Sequence, residues 1–443
     1  ISDTLPSYMY THMIGNHECR PTVILDQSST AHFAIMAAPN FEGPGVDNFY
    51  HQIQNIDVQV SSPNAMGLHW KVAQGTNLRN MTFFMYGADT AIFIENGGGG
   101  FIGDVSIKGG KTGLDIGGQQ WMIRNLSIDG CTVMGINLRW NWLFTFMGTH
   151  LSNMPEGFGG GDDDNPSIHG GVGNSLVGSL VLIDTTFEQV KVGIVEKYPE
   201  LTAVVMDRVT ADAGTDYIIK GPHSSITGGQ SVQLYRQGYG YEEGVEQFPF
   251  LRDIPNIDDK HGPSTTSMTP IRPNTPMESR GLPMWQVDLP EASVVNALSR
   301  GCLADGKADD TKCLQTAIAD ATTAVFLPSG TYIISDTLHV PKGKMLLGEG
   351  WSEIQAKAGA AAFSNAAAPA PMLSLDQSSA SAPTTLSNLM LTVGGDLPGL
   401  IVVEWLASDV SVFDVHWRLE HKAYASLVAR SSAGGYLENC WVW

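Results

Sequence analysis

The sequence predicts an all-β chain built as two right-handed parallel β-helix modules in tandem. Three observations support that class: 49 glycines beside abundant turn residues, a six-residue phrase recurring about once per solenoid coil, and a larger repeat at a fixed offset. With 43% apolar and 16% charged residues the chain has ample core-forming material, and 443 residues exceed one ordinary hydrophobic core.

The phrase reads apolar, any, Asn or Asp, apolar, any, apolar, as in Ile53-Gln54-Asn55-Ile56-Asp57-Val58. Copies follow with their polar residue at Asn80, Asp104 and Asn125, degenerate ones at Asp184 and Asp207, and later ones at Asn388, Asp414 and Asn439. Within each run the steps are 21 to 26 residues, the length of one coil. In a continuous strand the first and fourth positions would face opposite ways, yet both are apolar. Asn and Asp tolerate a left-handed backbone, so a bend at the third position lets both flanking strands aim at one core. Leucine-rich repeats share the period, but these copies lack the Leu-x-x-Leu-x-Leu frame and any intervening helical pattern.

The larger repeat sets the modules. Ile1-Ser2-Asp3-Thr4-Leu5 recurs as Ile334-Ser335-Asp336-Thr337-Leu338, and Ile14-Gly15 as Leu347-Gly348, both at an offset of 333. A preface precedes the second copy alone: Asp305-Gly306, Asp309-Asp310-Thr311, a predicted helix from Leu314 to Ala321, and Val325 to Tyr332. The expected organisation is a first module over 1–221 lacking its N-terminal part, an extended Pro- and Ser-rich linker over 222–290, and a second module over 291–443 lacking its last coils.

Charge narrows the partners. At −20 the chain repels nucleic acid and anionic lipid, and no apolar run reaches the roughly 18 residues needed to cross a bilayer. A neutral partner, no nucleic acid, no membrane and a monomeric state are expected. Of five cysteines, Cys302 and Cys313 are close enough in sequence to suggest a local disulfide, which fits a secreted protein.

From these segments the chain resembles glycoside hydrolase family 55, the tandem β-helix exo-β-1,3-glucanases of the pectate-lyase-like superfamily. The likeness rests on Gly67-Leu68-His69-Trp70, Ile92 to Gly97, Gly118-Gln119-Gln120, Trp140-Asn141-Trp142, the Asp305 to Trp351 preface, Val403-Glu404-Trp405 and Tyr436 to Asn439. Ala304 stands where glycine is usual. The resemblance implies two β-helices side by side, an active cleft between them, a neutral polysaccharide partner (β-1,3-glucan) hydrolysed with inversion, and no organic cofactor. Glu438 sits at the outward second position of its phrase, and Glu404 lies in an apolar run where burial would favour a neutral acid; these are the candidate catalytic carboxylates. Both compete with ordinary surface or strand-end roles, and the resemblance leaves open a general acid beyond Trp443. Gln119 and Gln120 are candidates for orienting the attacking water, and Trp140, Trp142, Trp70 and Trp405 for stacking on glucose rings.

Asp162-Asp163-Asp164 invites a calcium reading, but the spacing is not that of an EF-hand and a glycine-rich insertion fits better, so no metal site is predicted. The Asn80 and Asn125 sequons are also bend residues, so neither is expected to carry glycan. Two rivals to the glucan hydrolase stand: a non-catalytic carbohydrate-binding β-helix, and a polyuronate lyase, whose polyanionic substrate the charge disfavours.

Overall fold

The computed structural model describes residues 1–37, 45–160, 177–196, 203–221, 225–240, 250–252 and 289–443. The chain divides into two compact units, Ile1–Ser267 and Met268–Trp443, each with its own hydrophobic core. Asp162-Asp163-Asp164 and residues 253–288 of the expected linker lie outside the described residues.

In the first unit successive coils pair in parallel register, and three columns of apolar side chains converge on one interior. One runs Ile53, Leu78, Ile102, Ile123, Phe146 and Leu182. A second runs Val58, Phe83, Ile107, Ile128, Leu151 and Phe187, and a third Leu68, Ile92, Leu114, Ile136, Phe158 and Ile194. All are buried. Each column places one residue per coil directly above its equivalent, so the core is continuous along the stack.

The bends fall where the phrase puts them. Asn55, Asn80, Asp104, Asn125 and Asp184 all have left-handed backbones, with φ between 50 and 57°. Two details differ. The gap between Asn125 and Asp184 is filled by Gly148 (φ 66°), which takes the bend without a side chain. In the copy assigned to Asp207 the left-handed residue is Arg208 (φ 55°), whose guanidinium reaches Asp184 of the preceding coil at 2.7 Å. The bend side chains form ladders: the Asn80 amide donates to Asn55 Oδ1 and the Asn125 amide to Asp104 Oδ1, each at 2.8 Å. Both sequon asparagines therefore spend their amide nitrogen on a neighbouring coil.

The larger repeat has a structural basis. Thr4 N donates to Asp3 Oδ1 at 2.7 Å and Thr337 N to Asp336 Oδ1 at 2.8 Å. Each threonine hydroxyl then donates to a carbonyl of the following coil, that of Phe33 or Pro371. Gly15 and Gly348 are equivalent too: a Cβ on either would lie 2.1 Å from the carbonyl oxygen of a bend residue, Asn55 or Asn388.

Part of the expected linker is sheet. Ser231–Gly240 runs antiparallel to Ala203–Ala211, and Ser225–Thr227 pairs antiparallel with Tyr217–Lys220. These reversals cover backbone groups that the last parallel strands would leave open.

The second unit repeats the plan with Leu346, Leu386, Val412 and Leu437 in one column and bends at Asn388, Asp414 and Asn439. A separate four-stranded sheet comprises Leu338–Pro341, Ala370–Asp376, Leu397–Trp405 and Ala423–Ala429. The predicted helix spans Thr311–Asp320 and the Cys302–Cys313 disulfide is present, with Cα atoms 5.3 Å apart. Among the described residues no helix is long and apolar enough to cross a membrane.

Candidate active site

The outer surface of the first unit carries an aromatic and amide patch on two adjacent strands, Thr112–Asp129 and Met134–Met147. Their register pairs Gly118 with Asn141 and Gln120 with Leu143, which sets Gln119 beside Trp142. Trp142 is 65% exposed, Gln120 is exposed and Gln119 half-buried. The register shifts between Ile116 and Gly117, so Arg139 is an extra residue in its strand. That bulge turns Trp140 outward, where its indole lies across Gly117. A Cβ on Gly117 would sit 2.7 Å from the ring, so only glycine leaves room for it. The indole N–H donates to the Glu95 carbonyl at 3.4 Å.

Two fixed carboxylates adjoin the patch. Glu95 contacts His69 Nε2 at 3.4 Å and Lys71 Nζ at 2.9 Å. His69 foremost, and Lys71 after it, hold the Glu95 carboxyl down to about 2 against the opposing effect of burial. The His69 ring is clasped between Phe33 and Phe93, with centroids 4.9 and 5.2 Å away. Asp115 receives both Arg139 Nε at 2.5 Å and Nη2 at 2.8 Å, plus the Asn137 amide at 3.1 Å. Arg139 also lies 4.9 Å from the Phe93 ring centre. Together the patch offers an aromatic face, amide donors and acceptors, an ammonium group and an ionised carboxylate. That set suits a neutral polyol, and Glu95 suits an acceptor for hydroxyls rather than a proton donor.

The structure brings Gln119, Gln120, Trp140 and Trp142 together. It corrects two of the proposed stacking residues: Trp70 is fully buried, edge-on to His51, and Trp405 is 4% exposed with its N–H donating to the Ala407 carbonyl at 2.9 Å. Both are core. Trp70 shares strand parity with inward Leu68, and Trp405 with inward Val403, whereas the Arg139 bulge breaks the parity that would bury Trp140 with Leu138.

Neither catalytic candidate in the second unit has the surroundings expected of it. Glu438 is 5% exposed rather than on the coil surface, and it accepts the Tyr436 hydroxyl at 2.5 Å. Its register partners Phe413 and Ser387 are likewise buried, so this side of the sheet is covered there. Glu404 was expected among apolar neighbours. It accepts instead from Arg430, through Nε at 2.8 Å and also through Nη2, so its neighbour is a guanidinium and not an apolar wall.

Sequence reading passed over Lys71, Glu95, Asp115 and Arg139. Lys71 and Glu95 are 24 positions apart, and so are Asp115 and Arg139. Opposite charges one coil apart stack in a solenoid, and that spacing was a usable signal.

A parallel β-solenoid with a polar and aromatic outer patch places the chain in a recognisable structural class. The model of the family described as "Rhamnogalacturonase A/epimerase, pectate lyase-like" matches residues 1–159 and 294–384, more than half of the chain, and the protein belongs to that family. Among its relatives is a "Probable glucan endo-1,3-beta-glucosidase" of Arthroderma benhamiae, 26% identical over all of this chain and 65% of its own length. A "Glucan 1,3-beta-glucosidase" of Cochliobolus carbonum is 26% identical over 98% of this chain and 60% of its own length. A "Non-secreted LysM effector LysM15" of Penicillium expansum is also 26% identical over all of this chain, which spans 34% of that relative. The chain thus spans between about a third and two thirds of these relatives. Two of the names bear out the likeness to the glucanases that the residues suggested.

Proposed function

We propose that this chain is the glucan-handling part of a secreted β-1,3-glucan hydrolase that acts from a chain end and inverts the anomeric centre. The observation that carries the reading is the 65%-exposed Trp142 beside Gln119 and Gln120, backed by the Lys71–Glu95 pair. The indole stacks on a pyranose ring while the amides and the ion pair hold its hydroxyls. Inversion needs an acid and a base-activated water, the two groups about 6.5 to 9.5 Å apart. Glu95, held ionised, serves as an acceptor on this scheme, and Glu438 and Glu404 are the carboxylates to test as acid. The disulfide supports an oxidising compartment.

A second reading, binding without turnover, gains from the ion pairing of Glu95, Asp115 and Glu404. Incubation with laminarin and polygalacturonate in parallel, following reducing sugar and unsaturated-uronide absorbance, separates the readings. Reducing sugar from laminarin is expected, with Trp142→Ala raising KM about tenfold through lost stacking. Retention on glucan without release of sugar selects the binding role, and unsaturated product from polygalacturonate overturns both.

A further inference from the structure

The most unexpected backbone feature of the first unit is a pair of tyrosines. Tyr10 (φ 59°) and Tyr50 (φ 61°) both adopt the left-handed conformation, which bulky side chains strongly disfavour. They are not independent. His12 registers with Gln52, Gln52 with Asn77, Asn77 with Phe101 and Phe101 with Met122. Two positions before each lie Tyr10, Tyr50, Gly75, Gly99 and Gln120, one corner of five successive coils. Gly75 (φ 72°) and Gly99 (φ 117°) show what this corner prefers, since glycine meets the same demand without penalty. Tyrosine at the other two coils is therefore a cost that the fold itself does not require.

The two rings lie against each other, with centroids 5.8 Å apart and planes 25° from parallel, and Phe49 adjoins them at 5.8 Å from Tyr50. Tyr8, from the turn closed by Thr11 N donating to the Tyr8 carbonyl, is 57% exposed and Tyr10 is 60% exposed. Strained residues persist where function selects them. None of Tyr8, Met9, Tyr10, Phe49 and Tyr50 carries charge, and a chain at −20 repels an anionic ligand, so the cluster suits a neutral, flat, amphipathic one. Gln120 occupies the same corner three coil steps beyond Tyr50, a rise of about 14 Å at the usual strand spacing.

We propose that Tyr8, Tyr10 and Tyr50 form a second stacking platform for a neutral glucan chain, at the same solenoid corner as the Gln119–Trp142 patch. This rests on the glucan reading above. The test compares the full chain with Tyr10→Gly/Tyr50→Gly and Tyr10→Phe/Tyr50→Phe for retention on insoluble β-1,3-glucan and for Tm. Glycine removes the rings and suits the backbone, so retention should weaken about fivefold to tenfold while Tm holds or rises; phenylalanine should retain most of the binding. Retention unchanged by glycine overturns the platform, as does a Tm that falls together with retention, which would mark the rings as packing. Self-association lost in the glycine variant would identify a protein contact and overturn it as well. A wild-type chain that neither binds the glucan nor releases sugar from laminarin ends both readings, whereas laminarin turnover with unaltered retention of the glycine variant ends only this one.

Discussion

Ala304 shows how a single backbone angle carries information. It adopts φ 52°, and its N–H and carbonyl are both committed, to Asp310 Oδ2 and to Thr331 N at 3.0 Å each, so the conformation is imposed. Ala304→Gly should stabilise the protein by about 1 kcal/mol, read as a higher denaturant midpoint, because glycine accepts the left-handed state freely. The buried histidines make a second prediction. Burial lowers His12 and His51 from 6.5 to about 4, and His51 lies 2.6 Å from Asn48 Oδ1. Unfolded histidine takes up its proton near 6.5 and the folded one resists until about 4, so stability should fall as pH drops through that window. The loss reaches at most about 3 kcal/mol per histidine. Tm measured from pH 7 to 4 should decline steadily, and His51→Gln should flatten the slope. Neither effect was legible in the sequence as an energy, since it depends on how deeply a ring or a backbone turn is enclosed.

Bends and strands belong to the scale of the element, where the sequence was most informative. A left-handed Asn and its apolar neighbours are local facts, and the spacing of the copies located most of the corners. Gly148 escaped because glycine carries no side chain to mark a ladder, and Arg208 because the neighbouring Asp207 is the residue type that usually takes the left-handed bend. Asn125→Ala should cost about 2–3 kcal/mol in urea denaturation, combining loss of the bond to Asp104 with an alanine held at φ 54°. Asn125→Gly, which relieves the backbone alone, should recover about 1 kcal/mol. Equal losses in the two variants would show that the ladder bond, not the bend, carries the stability. The tryptophans mark where element-level reading fails: Trp70 and Trp405, candidates for stacking on sugar, follow their strand parity into the core, whereas Trp140 escapes its parity with Leu138 because a single bulge reverses it.

For the molecule as a whole the governing quantity is charge. At −20 the chain exerts a long-range repulsion on any polyanion, and a neutral glucan feels none. On the proposed glucan reading, KM for laminarin should therefore change by less than about twofold between low and high salt, whereas a polyuronate ligand would respond strongly as screening sets in. By itself the sequence determined the coil period, most of the bend positions, the duplicated Ile-Ser-Asp-Thr-Leu corner and the sign of the field, because each depends on neighbours along the chain or on a sum over it. Only the tertiary structure decided which tryptophans face outward, that Lys71 meets Glu95 and Arg139 meets Asp115, and that Glu438 is enclosed. Those outcomes turn on how one coil registers with the next, and a one-residue slip such as the bulge at Arg139 reassigns every face beyond it.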